Sequence, residues 1–236
     1  MLEIKNVTKN YGEKKAVKDI SLKIKDGEIF GFIGHNGAGK TTLIKSIVGI
    51  HEFNEGDILI NDISIKKSEI EYKKQLAYIP DNPDLYDNLK GIDYLNFIAD
   101  IYEVSIETRE KLIKEYGELF NIYNDLGNLI SSYSHGMKQK LAIISALIHE
   151  PKVLVLDEPF VGLDPKSSKD LKDIMKALCK EGVTIFFSSH VLEVVEKLCD
   201  RVGIIKNGKL IKVGTTKEIT NSVDLESVFL ELTNEK

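Results

Sequence analysis

The sequence predicts an α/β fold: a mostly parallel sheet, an antiparallel β portion near the N-terminus and an inserted α-helical lobe. Three observations predict it. First, Gly31, Gly34, Gly37 and Gly39 crowd between an apolar run and a helix-like pattern. Glycine weakens both strands and helices, so a glycine-dense junction between them implies a backbone requirement there. Second, from about Leu85 to Glu150 strand-like β-branched runs are scarce and helical spacings dominate. Third, strands and helices alternate after Pro151, and Val153–Leu156 is apolar throughout, as a strand buried on both faces must be.

The elements follow in order. Leu2–Val7 and Ile20–Ile24 alternate like edge strands, and Asp26-Gly27 turns the chain into a strand over Glu28–Ile33. From Lys40, apolar residues recur at Leu43, Ile44, Ile47 and Val48, which is helical spacing, and Gly49 ends that helix. Glu55-Gly56-Asp57 reads as a turn into a strand over Ile58–Ile60, and Pro80 stops a short strand over Leu76–Ile79. Within the helical block, Tyr94, Phe97, Ile98 and Ile101 share a face. Leu112, Glu115 and Leu119 share another, and Met137, Leu141, Ile144 and Ile148 a third. Lys152–Leu156, Val183–Ser188 and Val202–Ile205 read as strands, separated by helices over Ser167–Lys180 and Val191–Leu198. Asn207-Gly208 is a hairpin turn into Lys209–Val213. Leu225, Val228, Phe229 and Leu232 give a last short amphipathic helix. The expected organisation is one domain: an α/β core over 1–84 and 151–214, a helical lobe over 85–150, and a short tail over 215–236.

Composition narrows the function. The chain of 236 residues fits one large domain or one domain with an inserted lobe. The net charge is −5, the lysines are spread along the chain, and only Arg109 and Arg201 are arginines. No basic stripe results, so nucleic acid is not expected as a partner, and the lysines read as solvated surface. Cys179 and Cys199 lack metal-ligand spacing and suggest a reducing compartment. The opening MLEIKNVTKNYG has no apolar core and reads as no secretory signal. The longest apolar run, Leu141 to Ile148, falls well short of the roughly 20 residues of a membrane span. Any membrane role must come through a partner.

Two stretches carry chemistry. Gly34-His35-Asn36-Gly37-Ala38-Gly39-Lys40-Thr41 fits G-x-x-x-x-G-K-[ST], followed by Thr42. Its glycines let successive backbone N–H groups curl around an anion, at the positive end of the helix from Lys40. Lys40 would neutralise the β and γ phosphates, and the Thr41 hydroxyl can ligate Mg²⁺. The second stretch, Val153–Leu156 followed by Asp157-Glu158-Pro159, is an apolar strand ending in two carboxylates. Ligands bind at the carboxyl ends of such strands. Asp157 would hold Mg²⁺ through water, and Glu158 would orient or deprotonate an attacking water.

Ser134-His135-Gly136-Met137-Lys138-Gln139 lies between these stretches and resembles the signature motif of ABC-type ATPases. The order continues as in that family: Gly162-Leu163-Asp164 looks like the D-loop, and His190 after Ser188-Ser189 looks like the switch histidine. Tyr11 looks like the aromatic that stacks on adenine. The resemblance spans the first strand to about Gly214. It implies a P-loop NTPase fold of the ABC type, ATP and Mg²⁺ as cofactors, and head-to-tail pairing with a second ATPase subunit, as homodimer or heterodimer. Each ATP would lie between one copy's phosphate loop and the other's Ser134, His135, Gly136 and Met137, with the helix running from Met137. The resemblance also implies a transmembrane permease partner, and so a cytoplasmic position on the inner face of the cell membrane.

The sequence also departs from the family pattern. Asp81 stands where Gln is usual, so it would reach Mg²⁺ differently and place the lytic water differently. His135 replaces a Gly, Met137-Lys138 end the signature unusually, Tyr133 replaces its Leu, Lys140 stands for the common Arg, and His35 replaces a common Pro. The wording around Tyr78-Ile79-Pro80-Asp81 and Ser134–Leu141 looks most like the ATPases of ABC-2-like bacterial exporters. The regulatory domain of sugar-importer ATPases is not expected beyond Gly214. Asn82-Pro83-Asp84-Leu85-Tyr86 is the expected permease contact, a proline-stiffened loop with apolar tips. The expected function is ATP hydrolysis that powers an ABC exporter through dimer closure. The alternative is a soluble ABC-type ATPase driving a non-transport assembly process.

Overall fold

The computed structural model describes residues 1–221 and 223–234. The expected tail over 215–236 therefore includes three residues, 222, 235 and 236, that lie outside the described ones. The chain runs β1 (Leu2–Tyr11), β2 (Lys14–Ile24), β3 (Ile29–Ile33), α1 (Lys40–Ile47), β4 (Glu55–Ile60), β5 (Ile63–Ser64), α2 (Glu69–Lys74) and β6 (Leu76–Ile79). Then come the helices α3 (Gly91–Ile101), α4 (Ile106–Leu119) and α5 (His135–Leu147). The rest is β7 (Val153–Asp157), α6 (Pro165–Lys180), β8 (Thr184–Ser188), α7 (Leu192–Leu198), β9 (Arg201–Lys206), β10 (Lys209–Thr215), α8 (Thr216–Thr220) and α9 (Leu225–Asn234).

Two sheets form. The larger has the order β10-β9-β3-β8-β7-β6, parallel from β9 to β6, with β10 as an antiparallel edge strand. Every residue of β3, β7 and β8 is buried, which explains their apolar runs. The smaller sheet, β2-β1-β4-β5, is antiparallel. One apolar core fills the space between the sheets around Leu43, Ile44 and Ile47 of α1. The other binds the opposite face of the large sheet to α5, α6, α7 and the helical lobe.

Four expectations need correction. Leu2–Val7 is not an edge: β1 is flanked by β2 and β4. Its alternation reflects one covered face of an antiparallel sheet, a pattern that carries no information about neighbours. Glu55-Gly56-Asp57 is not a turn but the start of β4. Gly56 has φ +89°, and a Cβ there would lie 2.2 Å from the Lys5 carbonyl oxygen, at a register shift between β1 and β4. Glycine serves a bulge there. On α3, the buried positions are Gly91, Leu95 and Ala99, whereas Phe97 and Ile101 are exposed. Between Pro83 and Tyr86, Pro83 is buried and Leu85 packs against the core, so the exposed apolar tip is Tyr86. Its ring meets Phe97 edge-on at 5.9 Å.

Candidate functional site

The site lies at the carboxyl ends of β3, β7 and β8, where ligands of open α/β sheets bind. A cavity of about 840 Å³ opens there. Tyr11, the phosphate loop, Asp81, Asp157 and Glu158 all line it. Tyr11 is half-exposed, with its ring face under the Lys9 ammonium at 5.1 Å.

The phosphate loop leaves β3 and closes on itself, with Ala38 N–H donating to His35 O at 3.0 Å. Gly39 adopts φ +112°, and a Cβ there would come within 2.6 Å of the Ala16 carbonyl oxygen, so only glycine fits. α1 then begins at Lys40 with no side-chain cap, and the three residues of its first turn, Lys40, Thr41 and Thr42, line the cavity. The Lys40 ammonium is buried and donates to Gly34 O at 2.6 Å and His35 O at 3.4 Å. Burial pushes its pKa down, and the Glu158 and Asp157 carboxylates pull it back up. Of the loop residues, His35, Asn36, Gly37, Gly39, Lys40, Thr41 and Thr42 line the cavity, whereas Gly34 and Ala38 are buried and do not line it.

At the end of β7, Asp157 is buried and accepts a short hydrogen bond from the Ser188 hydroxyl, its partner across the β7–β8 register. Glu158 has φ +50°, an uncommon conformation for this residue type, held by N–H bonds to Ser188 O and Ser188 Oγ, both 3.2 Å. That backbone turn carries the Glu158 carboxylate to His190. The His190 N–H donates to Glu158 Oε2 at 3.2 Å, and Nδ1 lies 2.8 Å from the same oxygen. A carboxylate only accepts, so Nδ1 carries the proton and Nε2 faces away from Glu158. Asp81 is exposed and its Oδ1 accepts from Asn82 N–H at 2.9 Å.

Among the described residues, no group of three or more His, Cys, Asp and Glu could hold a metal by itself. Thr41, Asp81 and Asp157 offer only oxygens on one cavity. That suits Mg²⁺, which is held by one or two carboxylates together with substrate phosphates. The residues present fit the ion.

Ser134, His135, Gly136, Met137 and Asp164 do not line the cavity of their own chain. α5 begins at His135 rather than Met137, because Ser134 caps it: Ser134 Oγ accepts from Met137 N–H at 3.3 Å. Asp164 caps α6 in the same way, accepting from the Ser167 hydroxyl at 2.5 Å and from Ser167 N–H at 3.0 Å, and these bonds hold its carboxyl down to about 2. The two segments touch. The His135 ring covers Gly162, where a Cβ would lie 2.4 Å from His135 Cδ2, and Lys140 pairs with Asp164 at 3.6 Å. Lys138 pairs with Asp87 at 2.6 Å.

Sequence reasoning missed several residues here. Lys14, Lys15 and Lys18 line the cavity rather than only covering surface. Asn207 and Gly208 line it too. Ser188 holds both Asp157 and the Glu158 backbone. Its signal was available: a small polar residue ending a buried strand beside the acidic strand.

The family model for ABC transporter matches residues 17–161. The linearmycin resistance ATP-binding protein LnrL of Bacillus subtilis is 35% identical over 97% of this chain and 74% of its own. The methionine import ATP-binding protein MetN of Clostridioides difficile is 36% identical over 93% of this chain and 70% of its own. A solved ATP-binding subunit of an ABC transporter superposes with TM-score 0.94 at 33% identity, covering 98% of this chain and 99% of that one. The ATP-binding cassette MJ0796, solved as a dimer in a post-hydrolysis state with ADP and Pi, superposes with TM-score 0.82 at 25% identity, over 92% of this chain and 99% of that one.

Proposed function

The chain belongs to the ABC transporter family of ATP-binding proteins, and from that premise we propose that it powers export by closing as a dimer around ATP. It is an ATPase and the ATP-binding subunit of a transporter. The observation that carries the proposal is the convergence of Lys40, Thr41, Asp157 and Glu158 on one cavity, with His190 bonded to Glu158.

The roles follow from this chemistry. Tyr11 offers an aromatic face for adenine. The N–H groups of the loop residues that line the cavity surround the phosphates, and Lys40 exchanges its bonds to Gly34 and His35 for phosphate oxygens. Thr41, Asp157 and Asp81 hold Mg²⁺, which supplies positive charge at the β and γ phosphates when bound. Glu158 accepts a proton from the attacking water, and His190 fixes the Glu158 carboxylate and reaches the γ-phosphate. Ser134, His135, Gly136 and Met137 come from a second copy, with the first turn of α5 directed at the γ-phosphate. Asp164 pairs with Lys140, one turn further along α5 of the same copy.

Among the described residues, no helix is long and apolar enough to cross a membrane. The proposed partner is a separate transmembrane permease, with this chain on the cytoplasmic face of the cell membrane. Tyr86 with Phe97 is the proposed contact, replacing the Leu85 tip. Resistance is in the name of LnrL and import in that of MetN. The wording of Tyr78–Asp81 and Ser134–Leu141 favours export.

Glu158→Gln tests the site. ATP turnover is expected to fall at least about a hundredfold, ATP binding to persist, and the chain to run as a dimer in ATP on size exclusion. Turnover at the parent's rate would remove Glu158 from the catalytic role. Co-purification with a multi-span membrane protein tests the partner.

A further inference from the structure

α9 plays no part in the roles above, yet it reaches the phosphate loop. Phe229 of α9 is buried, and its ring centroid lies 4.9 Å from that of His35, tilted by 54°. This falls within the range of favourable aromatic pairs. Both rings also border a second cavity, of about 460 Å³, whose other walls include Gly34, Asn36, Ser189 and His190. One side chain of α9 therefore faces both the phosphate loop and the loop carrying the switch histidine. α9 is anchored at both ends: Leu225 N–H donates to Glu196 Oε2 of α7 at 2.9 Å, and Lys206 Nζ of β9 donates to Leu232 O at 3.3 Å.

A glycine-rich loop has many conformations, and only a few aim its N–H groups at one anion. A ring clamped on His35 removes part of that freedom before the ligand arrives, which strengthens binding without any new contact to ATP. We propose that Phe229 is a positioning residue for ATP: through His35, α9 holds the first half of the phosphate loop in its phosphate-binding form. Linkage makes the effect reciprocal, so bound ATP stabilises α9. The inference rests on the reading that Gly34–Thr42 holds the phosphates of ATP.

Phe229→Leu in the full chain keeps an apolar side chain and removes the ring. With Mg²⁺ present, ATP half-saturation is expected to rise about three- to tenfold, with kcat within about twofold of wild type. Phe229→Tyr keeps the ring and restores wild-type half-saturation. His35→Ala raises half-saturation similarly, and Phe229→Leu adds nothing in that background. A merely structural role would lower the melting temperature and leave half-saturation unchanged. Should Phe229→Leu fail to fold, hydrogen exchange decides: ATP protects the amides of 225–233 in the wild type and no longer does so in His35→Ala. Unchanged half-saturation, additive effects, or α9 protection that survives His35→Ala overturns the proposal. A wild-type chain that binds no ATP overturns the phosphate-loop reading with it.

Discussion

The Ser188 hydroxyl sits between two groups with different tasks. Its proton goes to the buried Asp157 carboxylate, and its oxygen accepts the Glu158 N–H. It thus locks the residue proposed for Mg²⁺ to the residue proposed for the lytic water, across two neighbouring strands. Ser188→Ala leaves a buried carboxylate without this donor, which costs about 1–3 kcal/mol. The same change removes one of the two Ser188 acceptors of the Glu158 N–H, Oγ, and leaves the carbonyl oxygen to hold the turn at φ +50°. The expected outcome is a lower melting temperature together with a loss of ATPase activity of at least about tenfold, whereas Ser188→Thr keeps the hydroxyl and most of both. A Ser188→Ala chain with wild-type turnover would reduce Ser188 to ordinary packing.

At the scale of elements, the joint between the helical lobe and the large sheet centres on His149, just after α5. Its ring stacks on Tyr102, at the end of α3, with centroids 3.7 Å apart, and its Nε2 lies 3.2 Å from Leu76 O of β6. Its Nδ1 is buried without a hydrogen-bond partner among the described residues. Burial holds the imidazole pKa at about 4, below the ordinary 6.5. The fold therefore favours the neutral ring. The stabilisation from this site is full above pH 6.5 and is lost as the pH falls from 6.5 through 4. At most it amounts to about 3 kcal/mol. His149→Phe keeps the stack and takes up no proton, so in denaturant titrations the wild type should lose stability relative to the variant as the pH falls across that window. A difference that stays constant from pH 6.5 to 4 would rule out His149 as its source.

The same scale shows what the sequence made legible. β3, β7 and β8 were readable because strands buried on both faces must be apolar. The junction from β3 into α1 was readable because only a few residue types build it. The helix at α3 was readable, but its spacing does not say which of the face's residues are covered: Tyr94 and Ile98 pack on the core while Phe97 and Ile101 stay exposed. α2 and α8, at six and five residues, are too short for periodicity to register. α8 did carry another signal, the capping box of Thr215 and Glu218. Within the site, the types and order of the phosphate loop, Asp157, Glu158 and His190 were readable. The lining lysines of β2 were not, because a lysine on a half-exposed strand has the same pattern whether it faces bulk water or a cleft.

At the scale of the whole molecule, one chain presents a cavity with phosphate loop, carboxylates and Tyr11, while Ser134 and Gly136 stand elsewhere on its surface. If two copies pair head to tail, each ATP site takes Lys40 from one copy and Ser134 from the other. That arrangement makes a prediction no single-chain site can meet. Lys40→Ala disables every site that uses the altered copy's phosphate loop. Ser134→Arg places a bulky side chain on the cap of α5 and disables every site that uses the altered copy's signature. Each variant alone should be inactive. In a mixed dimer both lesions fall in the same site, so the other site is wild type on both sides. Random mixing gives half mixed dimers with one intact site each, so ATPase activity should return to about a quarter of wild type, or less if the two sites must fire together. The readout is turnover on mixing and re-equilibrating the two purified variants. Mixtures as inactive as their components, with mixed dimers demonstrated by differential tags, would show that Ser134 serves no site built on the other copy's Lys40.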